Sequence, residues 1–166
     1  LNVIAPGPGM PPAALIDGEA VAAEIRANAA QAAATLKAAY GEAPGLATVL
    51  VGNDPASDTY VTMKTRDIRE AGMRSVDIRL ATETSEAALI DRVKALSADP
   101  AIDGILVQLP LPAHISADRV LACIDPDKDV DGLTEISAGR LVLGRPGLRP
   151  CTPEGCVILA KRARAD

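Results

Sequence analysis

The order of segments predicts an α/β fold, a three-layer sandwich in which a mostly parallel sheet is flanked by helices. Three observations carry this. Short β-branched apolar runs alternate with stretches of 3.6-residue period, Gly, Pro and Asp punctuate the joins, and the spacing fits right-handed strand-helix-strand crossovers. From Asp17 to Tyr40, Val21, Ile25, Ala29, Ala32, Leu36 and Ala39 recur every three or four residues. Gly41 follows as a C-cap, so this stretch predicts an amphipathic helix. Leu46 to Val51, set between Gly45 and Gly52, reads as a buried strand. A helix from about Pro55 to Ala71 is expected next, with Asp54 as N-cap, Pro55 in the first turn and Gly72 beyond its end. Val76, Ile78 and Leu80 alternate as a second strand. Ser85 to Ala98 predicts a helix with Leu89, Ile90, Val93 and Leu96 inward, stopped by Asp99-Pro100. Gly104 to Leu109 reads as a third strand, Ser116 opens a short helix, and a last helix starts at Thr152-Pro153.

Composition narrows the functional classes. The 166 residues suit one compact domain or one lobe of a larger protein. A net charge of -5, with no basic run and only two tyrosines for aromatics, argues against a nucleic-acid partner. No apolar run approaches the roughly 20 residues that span a bilayer, so no membrane partner is expected and a cytoplasmic location is. Cys123, Cys151 and Cys156 lack both zinc-ligand spacing and a C-x-x-C, and read as reduced structural thiols. Residues 1-14 read as a flexible Pro/Gly-rich segment, partly not native to the protein, and 15-166 as the folded domain. The last residues, K-R-A-R-A-D, stop within a helical pattern, from which a truncated protein is expected.

In open parallel sheets, ligands gather beyond the carboxyl ends of the strands. Four polar segments fall on that edge: V-G-N-D-P-A-S-D-T-Y-V-T-M-K, V-Q-L-P-L-P, D-P-D-K-D-V-D-G and R-P-C-T-P-E-G. Tyr60 and Lys64, at i and i+4, share a helix face, and Ser57 joins them one turn earlier. The plain reading is a half-buried Tyr covered by a solvated Lys. Gln108 can simply satisfy backbone groups at a sheet edge. Asp127, Asp129 and Asp131 with Gly132 fit the first half of a calcium loop, but the twelfth position is Ala138 where a bidentate Glu is required. An Asp-rich turn is the alternative, and no metal is expected. His114 has no neighbouring nucleophile and reads as loop structure.

Taken together and in this order, Y-V-x-x-K, D-G-I-L-V-Q-L-P-L-P, D-P-D-K-D-V-D-G and R-P-C-T-P-E-G closely resemble the bifunctional methylenetetrahydrofolate dehydrogenase/methenyltetrahydrofolate cyclohydrolase family over roughly Leu15 to Ala163. The resemblance implies the folate-binding catalytic lobe of a two-lobe, aminoacid-dehydrogenase-like enzyme. Its Rossmann lobe, which would bind NADP or NAD, is not in this chain. The implied chemistry is hydride removal from 5,10-methylenetetrahydrofolate, then hydrolysis of the methenyl product to 10-formyltetrahydrofolate, in one-carbon metabolism that feeds purine biosynthesis. The implied partners are the folate substrate and, in the full-length protein, a second copy as a homodimer. A truncated lobe that binds folate without significant turnover is the alternative.

By family position Lys64 is the catalytic base, and a lysine acts so only when desolvation or a nearby positive charge lowers its pKa. Gln108 would orient its amine without adding a negative charge. Tyr60 would stack on the folate ring, Asp131 would accept from the pterin amino group and ring N–H, and Ser57 and Thr152 would be further contacts. Where family members commonly carry His-Pro and Asn, this chain has L-T-E-I-S-A-G-R-L, which places contacts from that loop in question.

Overall fold

The computed structural model describes residues 16–163; the segment 1-14 lies outside them. Six helices and three strands follow the expected alternation: α1 (Gly18–Tyr40), β1 (Gly45–Val51), α2 (Pro55–Glu70), β2 (Arg74–Leu80), α3 (Glu86–Ala98), β3 (Gly104–Val107), α4 (Ala117–Leu121), α5 (Glu135–Val142) and α6 (Cys151–Arg162). Five of the six starts are fixed by side chains that satisfy free amides of the first turn, while α6 follows Pro150 without such a bond. Asp17, Asp54, Ser85, Ser116 and Thr134 accept from the backbone N–H three residues on, at 3.0, 2.8, 3.3, 3.5 and 3.2 Å. The helix α1 ends at Gly41, whose φ of 87° suits a residue without a β-carbon.

The strands form one parallel sheet in the order β2-β1-β3. Val49 of β1 is in register with Ile78 on one side and Val107 on the other. A single parallel bridge, Ile105 to Asp129, extends the sheet past β3. Strand residues alternate between faces. Ala47, Val49 and Val51 join Ile105, Val107 and Ile78 in the core against Leu89 and Val93 of α3. The intervening residues of β1 face α2, whose Val61, Thr65 and Ile68 are buried.

Two features were not anticipated, and one bound needs correction. The α1 stripe is not fully buried: Ala33 alone among its residues is buried, while Ile25 and Leu36 stay 47% and 44% exposed. High alanine content and good caps form this helix with little help from packing. The third strand ends at Val107 rather than Leu109. Gln108 N–H still bonds Val49 O at 2.8 Å, but Pro110 and Pro112 have no N–H with which to continue a ladder. The L-T-E-I-S-A-G-R-L stretch contains a helix, α5.

Candidate functional site

The helix α2 packs across β1 and β2. The β3 half of the same sheet face is roofed by the 130–133 loop and the start of α6, and a cavity of about 940 Å³ lies between these parts. Its floor is apolar and comes from Leu46 of β1 and Leu106 of β3, with the fully buried Thr48 behind it. The cavity thus spreads over the sheet face back to the start of β1, further than the carboxyl-edge rule predicts.

Five of the six residues singled out in the sequence line it: Tyr60, Lys64, Gln108, Asp131 and Thr152. Ser57 does not. It is 3% exposed on the buried stripe of α2 with Val61 and Ile68, and its N–H bonds Asp54. At 100° per residue Ser57 lies between Ile68 and Lys64, about 20° from each, and its burial puts it on the Ile68 side. His114 belongs to a loop, its Nε2 lying 2.9 Å from Thr84 O.

Gln108 Oε1 accepts a hydrogen bond from Lys64 Nζ at 3.2 Å, and its Nε2 donates to Leu109 O at 2.8 Å. The second bond fixes the amide orientation, since the reverse would set an NH₂ against the lysine. Tyr60 remains 61% exposed, so the core does not depend on its ring, and the expectation of a half-buried Tyr fails.

The three aspartates of D-K-D-V-D point to different places, which removes the calcium-loop geometry. Asp127 pairs with Arg140 at 2.7 Å, Asp129 is buried beneath the loop, and Asp131 faces the cavity. Among the described residues no group of three or more His, Cys, Asp or Glu could hold a metal ion. Burial pushes the Asp131 carboxyl above its usual 3.8, and the Asp129 charge adds to this. The Lys64 charge and a hydrogen bond with Cys151 oppose it. Burial likewise raises the Cys151 thiol, and the charge of Asp131 raises it further, so this cysteine is held as a neutral group.

Gly132, at φ 63°, turns the chain directly after Asp131; a β-carbon there would lie 2.6 Å from the Arg149 carbonyl carbon and 2.7 Å from Pro150 N. Both the left-handed backbone and the close approach to α6 require glycine. Gly132→Ala is expected to destabilise the chain by more than about 1 kcal/mol and to move Asp131. Thermal unfolding and ligand titration of the variant check this, and an unchanged midpoint contradicts it.

Sequence reasoning missed Leu46, Thr48 and Leu106, although two-residue alternation along β1 and β3 marks them as the face opposite the core. It also missed Asp67, which lines the cavity one turn after Lys64 and pairs with Arg66 at 2.9 Å.

Comparison with known proteins gives the family. Residues 16–131 match the family described as tetrahydrofolate dehydrogenase/cyclohydrolase, catalytic domain. The chain is 60% identical over 152 residues to the bifunctional protein FolD of Maricaulis maris, covering 92% of this chain and 51% of that protein. The crystal structure of the FolD methylenetetrahydrofolate dehydrogenase/cyclohydrolase from Campylobacter jejuni superposes with a TM-score of 0.88 at 40% identity, over 92% of this chain and 54% of that one. The Trypanosoma brucei FolD enzyme, solved with NADP cofactor and inhibitor, gives 0.87 at 35% identity, over 93% and 53%. The chain spans about half the length of the relatives it matches. By sequence match, by fold and by the cavity in which its motif residues meet, the chain belongs to the tetrahydrofolate dehydrogenase/cyclohydrolase catalytic-domain family.

Proposed function

We propose that this chain holds a tetrahydrofolate derivative in the cavity beside α2 and supplies the base that hydrolyses the methenyl form to the 10-formyl form. The observation that carries this reading is the Lys64–Gln108 pair at 3.2 Å, in the same cavity as Asp131. In the proposed step a water oxygen bonds to the methenyl carbon and Lys64 takes one of the water's two protons; the bond from that carbon to N5 then breaks as the remaining hydroxyl proton leaves the new carbonyl oxygen and N5 takes up a proton, so that one proton is released overall. The formyl group stays on N10. The neutral Gln108 amide orients the amine through one accepted hydrogen bond. Asp131 accepts from the pterin donor pair, and Tyr60, exposed at the cavity wall, offers its ring for stacking. Thr152 adds a polar contact from α6.

The preceding oxidation needs a nicotinamide cofactor. The turns after β1 and β2 offer its phosphates no cradle: Asp54 and Ser85 occupy the N-termini of α2 and α3 with their own side chains. The reading therefore places NADP on a further lobe, supported by the double length of the relatives and by the NADP bound in the Trypanosoma brucei relative. On this reading residues 15-166 are one catalytic lobe of a cytoplasmic homodimer in one-carbon metabolism upstream of purine biosynthesis, and those finer assignments rest on the family resemblance. The same lack of a phosphate cradle favours a second reading, in which this lobe alone binds folate without hydride transfer.

Calorimetric titration with tetrahydrofolate tests the site. The unaltered chain is expected to bind, and Tyr60→Ala to bind about 5- to 10-fold more weakly, in line with roughly 1–1.5 kcal/mol for an aromatic contact. A folded chain that takes up no tetrahydrofolate sinks the reading.

A further inference from the structure

Asp129 is 1% exposed and does not itself line the cavity, yet it is a carboxylate, the side chain least suited to burial without partners. Its partners are backbone amides. Leu133 N–H donates to Oδ1 at 3.2 Å and Thr134 N–H to Oδ2 at 2.8 Å; against burial, which raises the acid, the Thr134 amide, the hydroxyls of Ser137 and Thr134 and the Leu133 amide hold it below its usual 3.8. Thr134 in turn caps α5, with Ser137 N–H on its Oγ1 at 3.2 Å and its hydroxyl 3.0 Å from Ser137 Oγ.

The backbone of Asp129 is tied on the other side. It bridges to Ile105 of β3, Ile105 N–H bonds Lys128 O at 2.7 Å, and Gly132 N–H bonds Asp129 O at 3.1 Å. One residue therefore anchors both ends of the five-residue arc that carries Asp131. The arc is pressed against the start of α6 by Gly132, and Cys151 Sγ lies 3.4 Å from Val130 O. Any slack at Asp129 reaches Asp131 and the wall of the cavity formed by Pro150 and Cys151.

We propose that Asp129 is a positioning residue for the folate site, acting through its two amide bonds to hold Asp131 at the angle at which it meets the pterin donor pair. This rests on the folate reading of the cavity. Asp129→Asn keeps the size of the side chain but replaces one acceptor by an NH₂, so at least one of the two amides loses its partner.

A double-mutant cycle separates positioning from general support. Tetrahydrofolate is titrated calorimetrically into the unaltered chain, Asp129→Asn, Asp131→Ala and the double variant. The expected result is about a 10-fold weaker Kd for Asp129→Asn in the unaltered background, on the scale of one lost charge-assisted hydrogen bond, and less than about a 2-fold change in the Asp131→Ala background. Equal weakening in both backgrounds, or none in the first, overturns the proposal while the folate reading stands. No binding by the unaltered chain overturns both. If Asp129→Asn does not fold, amide hydrogen exchange in the unaltered chain decides. Tetrahydrofolate is expected to slow exchange at the buried Thr134 amide, and an unchanged rate there refutes the coupling.

Discussion

Lys64→Met is expected to slow hydrolysis of 5,10-methenyltetrahydrofolate by about a hundred- to ten-thousand-fold, the range that a positioned base contributes, with tetrahydrofolate affinity changed far less. Methionine keeps the length and apolar stem of lysine, so the α2 face retains its shape and loses the amine that Gln108 orients. Lys64→Arg makes the result specific. Arginine keeps a positive charge but does not give up its proton in the accessible pH range, so a base is lost while the field is preserved. Both variants are expected to be equally impaired. If arginine sustains the rate, the role of Lys64 is to place charge in the cavity and the general-base mechanism is wrong. The assay follows loss of the methenyl group by absorbance, with the buffer-catalysed reaction as baseline.

Asp131→Asn is expected to move affinity and stability in opposite directions. Replacing the carboxylate removes a charge-assisted acceptor for the pterin, and a weakening of about 10- to 100-fold follows from roughly 1.5–3 kcal/mol for such a bond. The unliganded variant is expected to unfold at a higher temperature than the unaltered chain at neutral pH. Burial raises the folded-state pKa of Asp131 above 3.8, so between 3.8 and that raised value the folded chain binds more protons than the unfolded one. Its contribution to stability is therefore greatest below 3.8, declines as pH rises through the window, and stays reduced above it. Asparagine carries no such penalty. Asp129, held below 3.8 by its amides, has the opposite slope, its stabilisation being present above 3.8 and lost as pH falls through its lowered value. Calorimetric titration with thermal unfolding across pH measures both effects, and a variant that is less stable at pH 7 contradicts the account.

Much of this was legible from the chain because the signals are local. Asp54 followed by Pro55, Ser85 before Glu86 and Gly41 after Tyr40 mark helix ends through chemistry confined to one turn. The pairing of Tyr60 with Lys64 on one face follows from helical geometry alone. The contact between Lys64 and Gln108 bridges 44 residues, and no spacing predicts it; only the family resemblance brought those two together. The helix α5 escaped detection because Ile136, Leu141 and Val142 are exposed, so its apolar residues trace no buried stripe, although Thr134 and Ser137 carried a usable cap signal. Ser57 was misplaced because helical angle sets it midway between Lys64 and Ile68, and only its burial decides that it joins the second. The separation of Asp129 from Asp131, two residues apart and opposite in environment, is set by the packing of α5 and α6 and has no counterpart in local pattern.

The two faces of β1 give neighbouring residues different tolerances. Ala47, Val49 and Val51 are bound by the volume of the core, where a lost methylene leaves a cavity. Leu46 lines the ligand side, and Thr48 behind it has a buried hydroxyl without a hydrogen-bond partner among the described residues. Selection for a different substrate can therefore draw on Leu46 and Thr48 while Ala47 and Val49 keep the fold. A saturation scan of residues 46 to 49 would record this as a two-beat rhythm, with expression falling at Ala47 and Val49 and ligand preference drifting at Leu46 and Thr48. That interleaving lets a strand of seven residues evolve new chemistry and keep its architecture at once.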